Sequence, residues 1–193
     1  MITHRLILGS WLACFGSFLW AGHAFFTSSP ITLAPRTRMI KRVGLAVSVA
    51  QFLIMTKSRP VGRAADRAGT VMLLAALALF WSSIRVNREQ PLSLSFSTDR
   101  PDHLITRGPY RLIRHPFYLS YLLAWSAAPV ATRRWWVGVG PVIMAVLYRR
   151  AARFEEAKFL ASPLAECYRD YQRSTGMFLP TIRPPRHPGI SSP

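Results

Sequence analysis

The sequence predicts an all-α integral membrane protein with about five transmembrane helices. The last two form a short C-terminal hairpin, and a cytoplasmic loop and C-terminal helices build a site against it. Three observations lead to this fold class. Of 193 residues 50% are hydrophobic, yet Lys and Arg number 25 against 8 Asp and Glu, a formal charge of +17. The apolar residues fall in long runs and the basic residues in clusters between them, as in membrane helices and their flanks. A soluble nucleic-acid binder or a disordered basic tail of this charge would not also carry 12% aromatic residues. Nucleic acid is therefore not an expected partner. The length suits one domain, and Cys14 and Cys167 have the spacing of neither a disulfide framework nor a metal site.

The elements follow in order. Leu6 to Phe26 is 21 residues without a charge, where about 20 cross a bilayer core. Arg5 alone is a weak start for a cleaved signal peptide and further apolar segments follow, so this run is expected to be a spanning helix. Val43 to Met55 is only 13 residues and needs Met39 and Ile40, or a buried and tilted course, to cross. Ala68 to Ile84, 17 residues rich in Leu and Ala, is the third span. Phe117–Ala131 and Trp135–Tyr148 are separated by Thr132-Arg133-Arg134, and each holds a proline, Pro129 and Pro141. A tight hairpin shielded by the other helices accommodates both prolines, since neighbours satisfy the freed carbonyls.

Between the third and fourth apolar runs lies a polar stretch, Arg85 to His115. Within it Leu92, Leu94 and Phe96 alternate with serines, as in an extended segment. Ile182 to Pro193 holds four prolines and reads as a disordered end. Three regions result: N-terminal transmembrane helices over 1–84, a region of loop, helical hairpin and C-terminal helices over 85–180, and the tail over 181–193. With the amino terminus outside, the inner segments carry 18 Lys and Arg and the outer ones 7. The positive-inside rule then puts the polar stretch and the tail in the cytoplasm.

Two polar segments meet the membrane on that side. In the first, Gly108-Pro109-Tyr110-Arg111-Leu112-Ile113-Arg114-His115-Pro116-Phe117-Tyr118, Gly108-Pro109 breaks any helix and Pro116 suits the first turn of the next. His115 is thereby placed at a helix start, an end that attracts carboxylates and phosphates. The plainer alternative is an interfacial belt of tyrosines with arginines on lipid headgroups. In the second, Arg149 to Glu156 leads to Phe159, Tyr168 and Tyr171, and four of the eight acids gather between Glu155 and Asp170. Arg153 with Glu156, and Glu155 with Lys158, are helical neighbours able to form weak surface pairs. Ser162-Pro163 has the form of a helix start, and Tyr168 and Tyr171 share a face of that helix. Glycine-rich nucleotide loops and His-Glu-x-x-His are missing, and His4, His23, His103 and His187 have no metal-site spacing, so no metal is expected.

Taken together, Leu104-Ile105-Thr106-Arg107-Gly108-Pro109-Tyr110-Arg111, Arg114-His115-Pro116-Phe117-Tyr118, and Glu155-Glu156 with Tyr168-x-x-Tyr171 and Pro180 carry a further signal. They resemble the two motifs of the isoprenylcysteine carboxyl methyltransferase and phospholipid N-methyltransferase superfamily. The resemblance covers roughly residues 85–180. It implies an integral membrane methyltransferase that takes its methyl group from S-adenosylmethionine, bound at the cytoplasmic membrane surface. Carried over by position, cofactor contacts would come from Asp102, His103, Leu104 and Ile105, from Tyr110, His115, Pro116 and Tyr118, and from Glu155 or Glu156. An arginine one turn before the glutamates acts at the substrate in this family. That turn reads Ala151-Ala152 here, so Arg150 or Arg153 would take the role, with Tyr168 and Tyr171 also toward the substrate.

In chemical terms a carboxylate suits the cofactor's ammonium group and tyrosine faces suit a sulfonium. If the acceptor is a carboxylate, Arg153 would hold it. An amine, thiol or hydroxyl acceptor requires a base, for which His115 and Glu156 are the candidates. A lipid-like or hydrophobic acceptor entering from the bilayer fits a reaction segment set between membrane helices. Two other functions compete: an NADPH-dependent reductase of the sterol-reductase type, against which Phe117 and Ser120-Tyr121 argue, and a non-catalytic basic scaffold holding anionic lipid.

Overall fold

The computed structural model describes residues 2–25, 35–88 and 103–181. They form helices α1 (Ile2–Trp20), α2 (Pro35–Lys57), α3 (Arg63–Asn87), α4 (Pro116–Thr132), α5 (Val139–Leu160) and α6 (Ala165–Ser174). A wider turn over Ala21–Phe25 extends α1, and short 3-10 turns occupy Gly108–Arg111 and Trp135–Gly138. The expected all-helical class is observed, and no strand occurs among the described residues. The serine-alternating segment and the terminal tail lie outside them.

Among the described residues three helices are long and apolar enough to cross a membrane: Ile2–Phe25, Thr37–Lys57 and Arg63–Asn87. The second outruns its 13-residue apolar core because the helix continues through the basic cluster before Val43, which hydropathy alone hides. α1 is apolar all round, as a lipid-facing helix must be. It turns Ile7, Trp11, Cys14 and Phe15 inward at helical spacing while Leu6, Leu12 and Leu19 remain exposed.

α3 is the central element and packs most extensively on α4. Small residues permit the approach: Ala65, Gly69 and Ala76 on α3 meet a face of α4 carrying Ala124, Ala127, Ala128 and Ala131, all buried. A Cβ added at Gly69 would stand 2.6 Å from Ile7 Cδ1 and 3.1 Å from Ala131 Cβ. The small side chains let the two backbones approach closely.

α4 turns into α5 at Arg133, whose φ of 50° is left-handed. Contacts between Tyr118 near the start of α4 and Glu155 near the end of α5 make the pair antiparallel, as expected of a hairpin. Ser120 is fully buried on α4 with its hydroxyl donated to the Phe117 carbonyl at 2.7 Å. On the far side, α2 seals the hairpin through Gly44 beneath Trp125 and Val47 beneath Gly140.

Candidate active site at the mouth of the helical bundle

The loop before α4 is held in place from three directions. Gly108 has φ of +59°, and a Cβ there would collide with Val86 on α3. The 3-10 turn it starts buries Tyr110, whose hydroxyl accepts from Asn87 Nδ2 at 3.0 Å, while Tyr171 on α6 donates to the Tyr110 carbonyl at 2.6 Å. The next residues run beside the segment after α6: Arg114 N–H donates to the Gly176 carbonyl at 2.8 Å and His115 N–H to that of Met177 at 3.1 Å. Gly176 has no room for a Cβ, which would overlap the Leu179 carbonyl. Pro116 then occupies the first turn of α4, leaving His115 as its N-cap.

These constraints bring the two polar segments together. His115 Nε2 lies 3.1 Å from Glu156 Oε1 and its Nδ1 3.5 Å from Glu155 Oε2. Arg114 Nε donates to Glu156 Oε1 at 2.8 Å, and its Nη1 to the Thr175 carbonyl and, at 3.4 Å, to that of Gln172. Gln172 Nε2 donates to Glu156 Oε2 at 3.0 Å, and Tyr118 donates its hydroxyl to Glu155 Oε1 at 2.5 Å. Burial by itself would raise the Glu156 pKa, but the hydrogen bonds and charges of His115 and Arg114 outweigh it and hold the carboxyl below its ordinary value. Burial would likewise lower that of His115; hydrogen bonds donated by its ring to Glu155 and Glu156, and the charges of those two groups, reverse this and raise it. Burial also drives the Tyr110, Tyr168 and Tyr171 hydroxyls up. The resulting centre sets the His115 ring and the Arg114 guanidinium against the carboxyl groups of Glu155 and Glu156.

A cavity of about 770 Å³ opens beside this centre. His103, Leu104 and Ile105 line it, with Tyr110, His115, Pro116 and Tyr118 and, from the second segment, Glu155, Tyr168 and Tyr171. Asp102 lies outside the described residues. Glu156 is buried behind the wall rather than on it, and Arg150 and Arg153 are exposed on α5 and not part of the lining. Beyond the polar mouth the cavity continues as an apolar arm between α1 and α2, bounded by Phe15, Gly16 and Leu19 on one side and Gly44, Val49 and Phe52 on the other. Near-parallel rings connect the halves: His115 on Tyr118 at 5.5 Å, Tyr118 on Tyr148 at 4.6 Å, and Tyr148 on Trp125 at 5.9 Å.

Several of these participants escape the sequence. Arg114 stands next to His-Pro and could have been suspected; Gln172 and Asn87 have no local signature. Tyr148 and the arm lining from α1 and α2 look like ordinary membrane-helix residues until the bundle is assembled.

Residues 65–166, more than half of the chain, match the sequence model described as phospholipid methyltransferase. Among curated proteins, the Methanethiol S-methyltransferase of Pseudomonas deceptionensis is 36% identical over 83 residues, 42% of this chain and 29% of the relative. That of Mycobacterium tuberculosis is 30% identical over 136 residues, 62% of this chain and 52% of the relative. The Cobalt-zinc-cadmium resistance protein CzcN of Cupriavidus metallidurans is 32% identical over 111 residues, 57% of this chain and 50% of the relative. The chain thus spans from under a third to about half the length of these relatives.

Proposed function

The chain belongs to the phospholipid methyltransferase family, and we propose on that basis that it is an integral membrane enzyme transferring a methyl group from S-adenosylmethionine to a lipid-like or small hydrophobic acceptor. The observation that carries the reading is the single cavity with two chemical halves, a polar mouth built by both motifs and an apolar arm between α1 and α2. In this reading the α4–α5 hairpin lies in the bilayer with the three long helices. The mouth faces the cytoplasm, where the basic clusters orient it.

The residues present fit the cofactor. The volume of about 770 Å³ admits a ligand of this size with room for an acceptor. Glu155, on the wall and ionically linked to His115, is the carboxylate for the ammonium group. Glu156, buried against Arg114, His115 and Gln172, holds those groups in position rather than touching the ligand. Tyr168, stacked on Phe159 on one face, has its other face for a cation, and His103, Leu104 and Ile105 line the mouth. Bound S-adenosylmethionine supplies an electrophilic methyl group on a sulfonium sulfur. The protein's part is to align the acceptor with it and exclude water, which the packed rings and the α1–α2 arm accomplish.

The two methanethiol S-methyltransferase relatives support a thiol among the possible acceptors. Arg150 and Arg153, exposed on α5, are read as contacts to headgroups or to the polar part of the acceptor. Calorimetry on the detergent-purified protein tests the reading: S-adenosylhomocysteine is expected to bind and NADPH not. Binding of NADPH alone would favour the reductase, and binding of neither would favour the lipid scaffold.

A further inference from the structure

The apolar arm of the cavity has a floor, a back and two rims. Thr3 on α1 donates to Asp66 at the start of α3 at 3.0 Å, and Asn87 at the end of α3 reaches Tyr110 at the mouth, so α1 runs toward the mouth. Trp11 and Phe52, with ring centroids 4.9 Å apart, therefore stand at the deep end of the lining and join α1 to α2 there. Phe15, Gly44, Ser48 and Trp125 form a buried back. Leu12, Gly16 and Leu19 on α1, and Leu45, Val49 and Leu53 on α2, recur along the lining at helical spacing and are all exposed. Exposed apolar rims on membrane-spanning helices meet lipid tails, so the arm is a groove open to the bilayer along its side.

This groove is long and kept clear. Trp11 to Gly22 on one wall and Lys41 to Phe52 on the other are each eleven residues, about 16 Å at the helical rise. An extended chain advances about 1.2 Å per bond, a third of an extended residue, so about fourteen carbons fill that length. A Cβ at Gly16 would meet nothing within 4 Å among the described residues, although Gly16 borders the cavity. Packing does not call for a glycine there, and glycine is a poor helix former. What its small size preserves is the free space of the groove.

The upper end of the groove is continuous with the mouth, so a chain lying in it is tied to a head within reach of the cofactor. We propose that the α1–α2 groove measures the acceptor: one apolar chain of up to about fourteen carbons lies in it, Trp11 and Phe52 stop its end, and Gly16 keeps its path open. The acceptor class is then a long-chain lipid, in place of a small molecule that occupies the mouth alone. The inference deepens the methyltransferase reading of the same cavity and rests on it.

The test uses the full-length protein in lipid nanodiscs, saturated with S-adenosylhomocysteine, and 1-tetradecanol carrying a diazirine on its last carbon as a depth probe. Photolabelled residues are mapped by mass spectrometry, and labelling competed by unlabelled alkanol counts as specific. Specific labelling is expected at Trp11, Phe52 or Leu53, and the 1-octanol analogue should stop about a turn short, near Gly16. At equal mole fraction in the bilayer, 1-tetradecanol should compete about tenfold better than 1-octadecanol, whose chain overruns the floor. Gly16→Leu fills the groove and should cut labelling of the floor by about tenfold or more. Gly9→Leu, on the same helix but off the lining, should leave it unchanged. Phe52→Ala removes part of the floor and should bring 1-octadecanol within about twofold of 1-tetradecanol. An affinity for S-adenosylhomocysteine within about twofold of wild type, read by calorimetry, shows that the variants are folded.

Floor labelling that no alkanol competes, or competition indifferent to chain length, overturns the proposal. Unchanged labelling in Gly16→Leu overturns this path for the chain. In these cases the methyltransferase reading stands, because calorimetry reads the cofactor separately. Failure of the wild-type protein to bind S-adenosylhomocysteine removes that reading, and the acceptor role of the groove falls with it whatever the labelling shows.

Discussion

The side-chain amide of Gln51 on α2 donates to the carbonyl oxygen of Trp125 on α4 at 2.9 Å. That carbonyl is the one that Pro129, four residues on and lacking an N–H, leaves without its helical donor. A neighbouring helix thus repairs the break that the proline makes, and Trp125 also donates its indole N–H to Ser48 on α2 at 3.0 Å. Replacing Gln51 by Leu should strand the buried carbonyl and cost about 1–3 kcal/mol. In a Pro129→Ala background the helix supplies its own donor, so the same replacement should cost much less. Chemical unfolding of the four proteins in detergent micelles measures the coupling, and strictly additive costs would refute the repair.

Arg114 joins Glu156 to the carbonyls after α6. A lysine has the charge but not the fork, so Arg114→Lys should lose one side of the link. Affinity for S-adenosylhomocysteine is expected to fall by about tenfold or more, the scale of a charge-assisted hydrogen bond. Arg173→Ala removes a pair with Asp170 whose side chains are 76% and 73% exposed, and should leave the affinity unchanged. Equal effects of the two replacements, measured by calorimetry, would argue against a positioning role for Arg114.

The pH dependence has a sign fixed by the two shifts. His115 is raised above its ordinary 6.5, so the stability it contributes is complete below that pH and is lost as pH rises through its folded value. Glu156 is lowered from 4.5, so its contribution is complete above that pH and is lost as pH falls through its folded value. Thermal stability should therefore plateau between these limits and decline on both sides. His115→Gln should flatten the alkaline decline and, because His115 helps to hold Glu156 down, also shrink the acid one; a melting series across pH that keeps the alkaline limb in this variant would assign that limb to another group.

At Gly69 the α3 backbone comes close to both α1 and α4. A Gly69→Val side chain must displace Ile7 or the α4 backbone at Ala127, whose carbonyl would lie 3.2 Å from the new Cβ. Overpacking of about 1–3 kcal/mol is expected. Gly9→Val on α1, where a Cβ meets nothing within 4 Å, serves as the neutral comparison. Comparable melting temperatures for both variants would mean that the interface yields.

Much of this fold is legible in composition and spacing. The charge-free run before Phe26 and the Leu- and Ala-rich run after Ala68 locate α1 and α3, and Gly108-Pro109 and Pro116 bracket the loop that carries His115. α2 is harder to delimit because its first turns are basic and largely exposed. Ser162 accepts from the Leu164 N–H at 3.2 Å, yet α6 begins at Ala165, so the cap chemistry is visible while the boundary shifts. Helical spacing pairs Arg153 with Glu156, but in the folded chain Glu156 turns to Arg114, 42 residues away. Local rules cannot rank a surface ion pair against a buried one that depends on the whole bundle. The same reason hides the roles of Gln172, Gln51 and Tyr148, whose partners come from other helices.

The pairing of Arg114 and His115 with the carbonyls of Gly176 and Met177 also orders events at the ribosome. The two basic residues are synthesised before these partners: Glu156 follows Arg114 by 42 residues and Thr175 by 61. A chain ending before α6 would therefore lack the carbonyls of Gln172 and Thr175 that Arg114 uses and those of Gly176 and Met177 that hold the loop before α4.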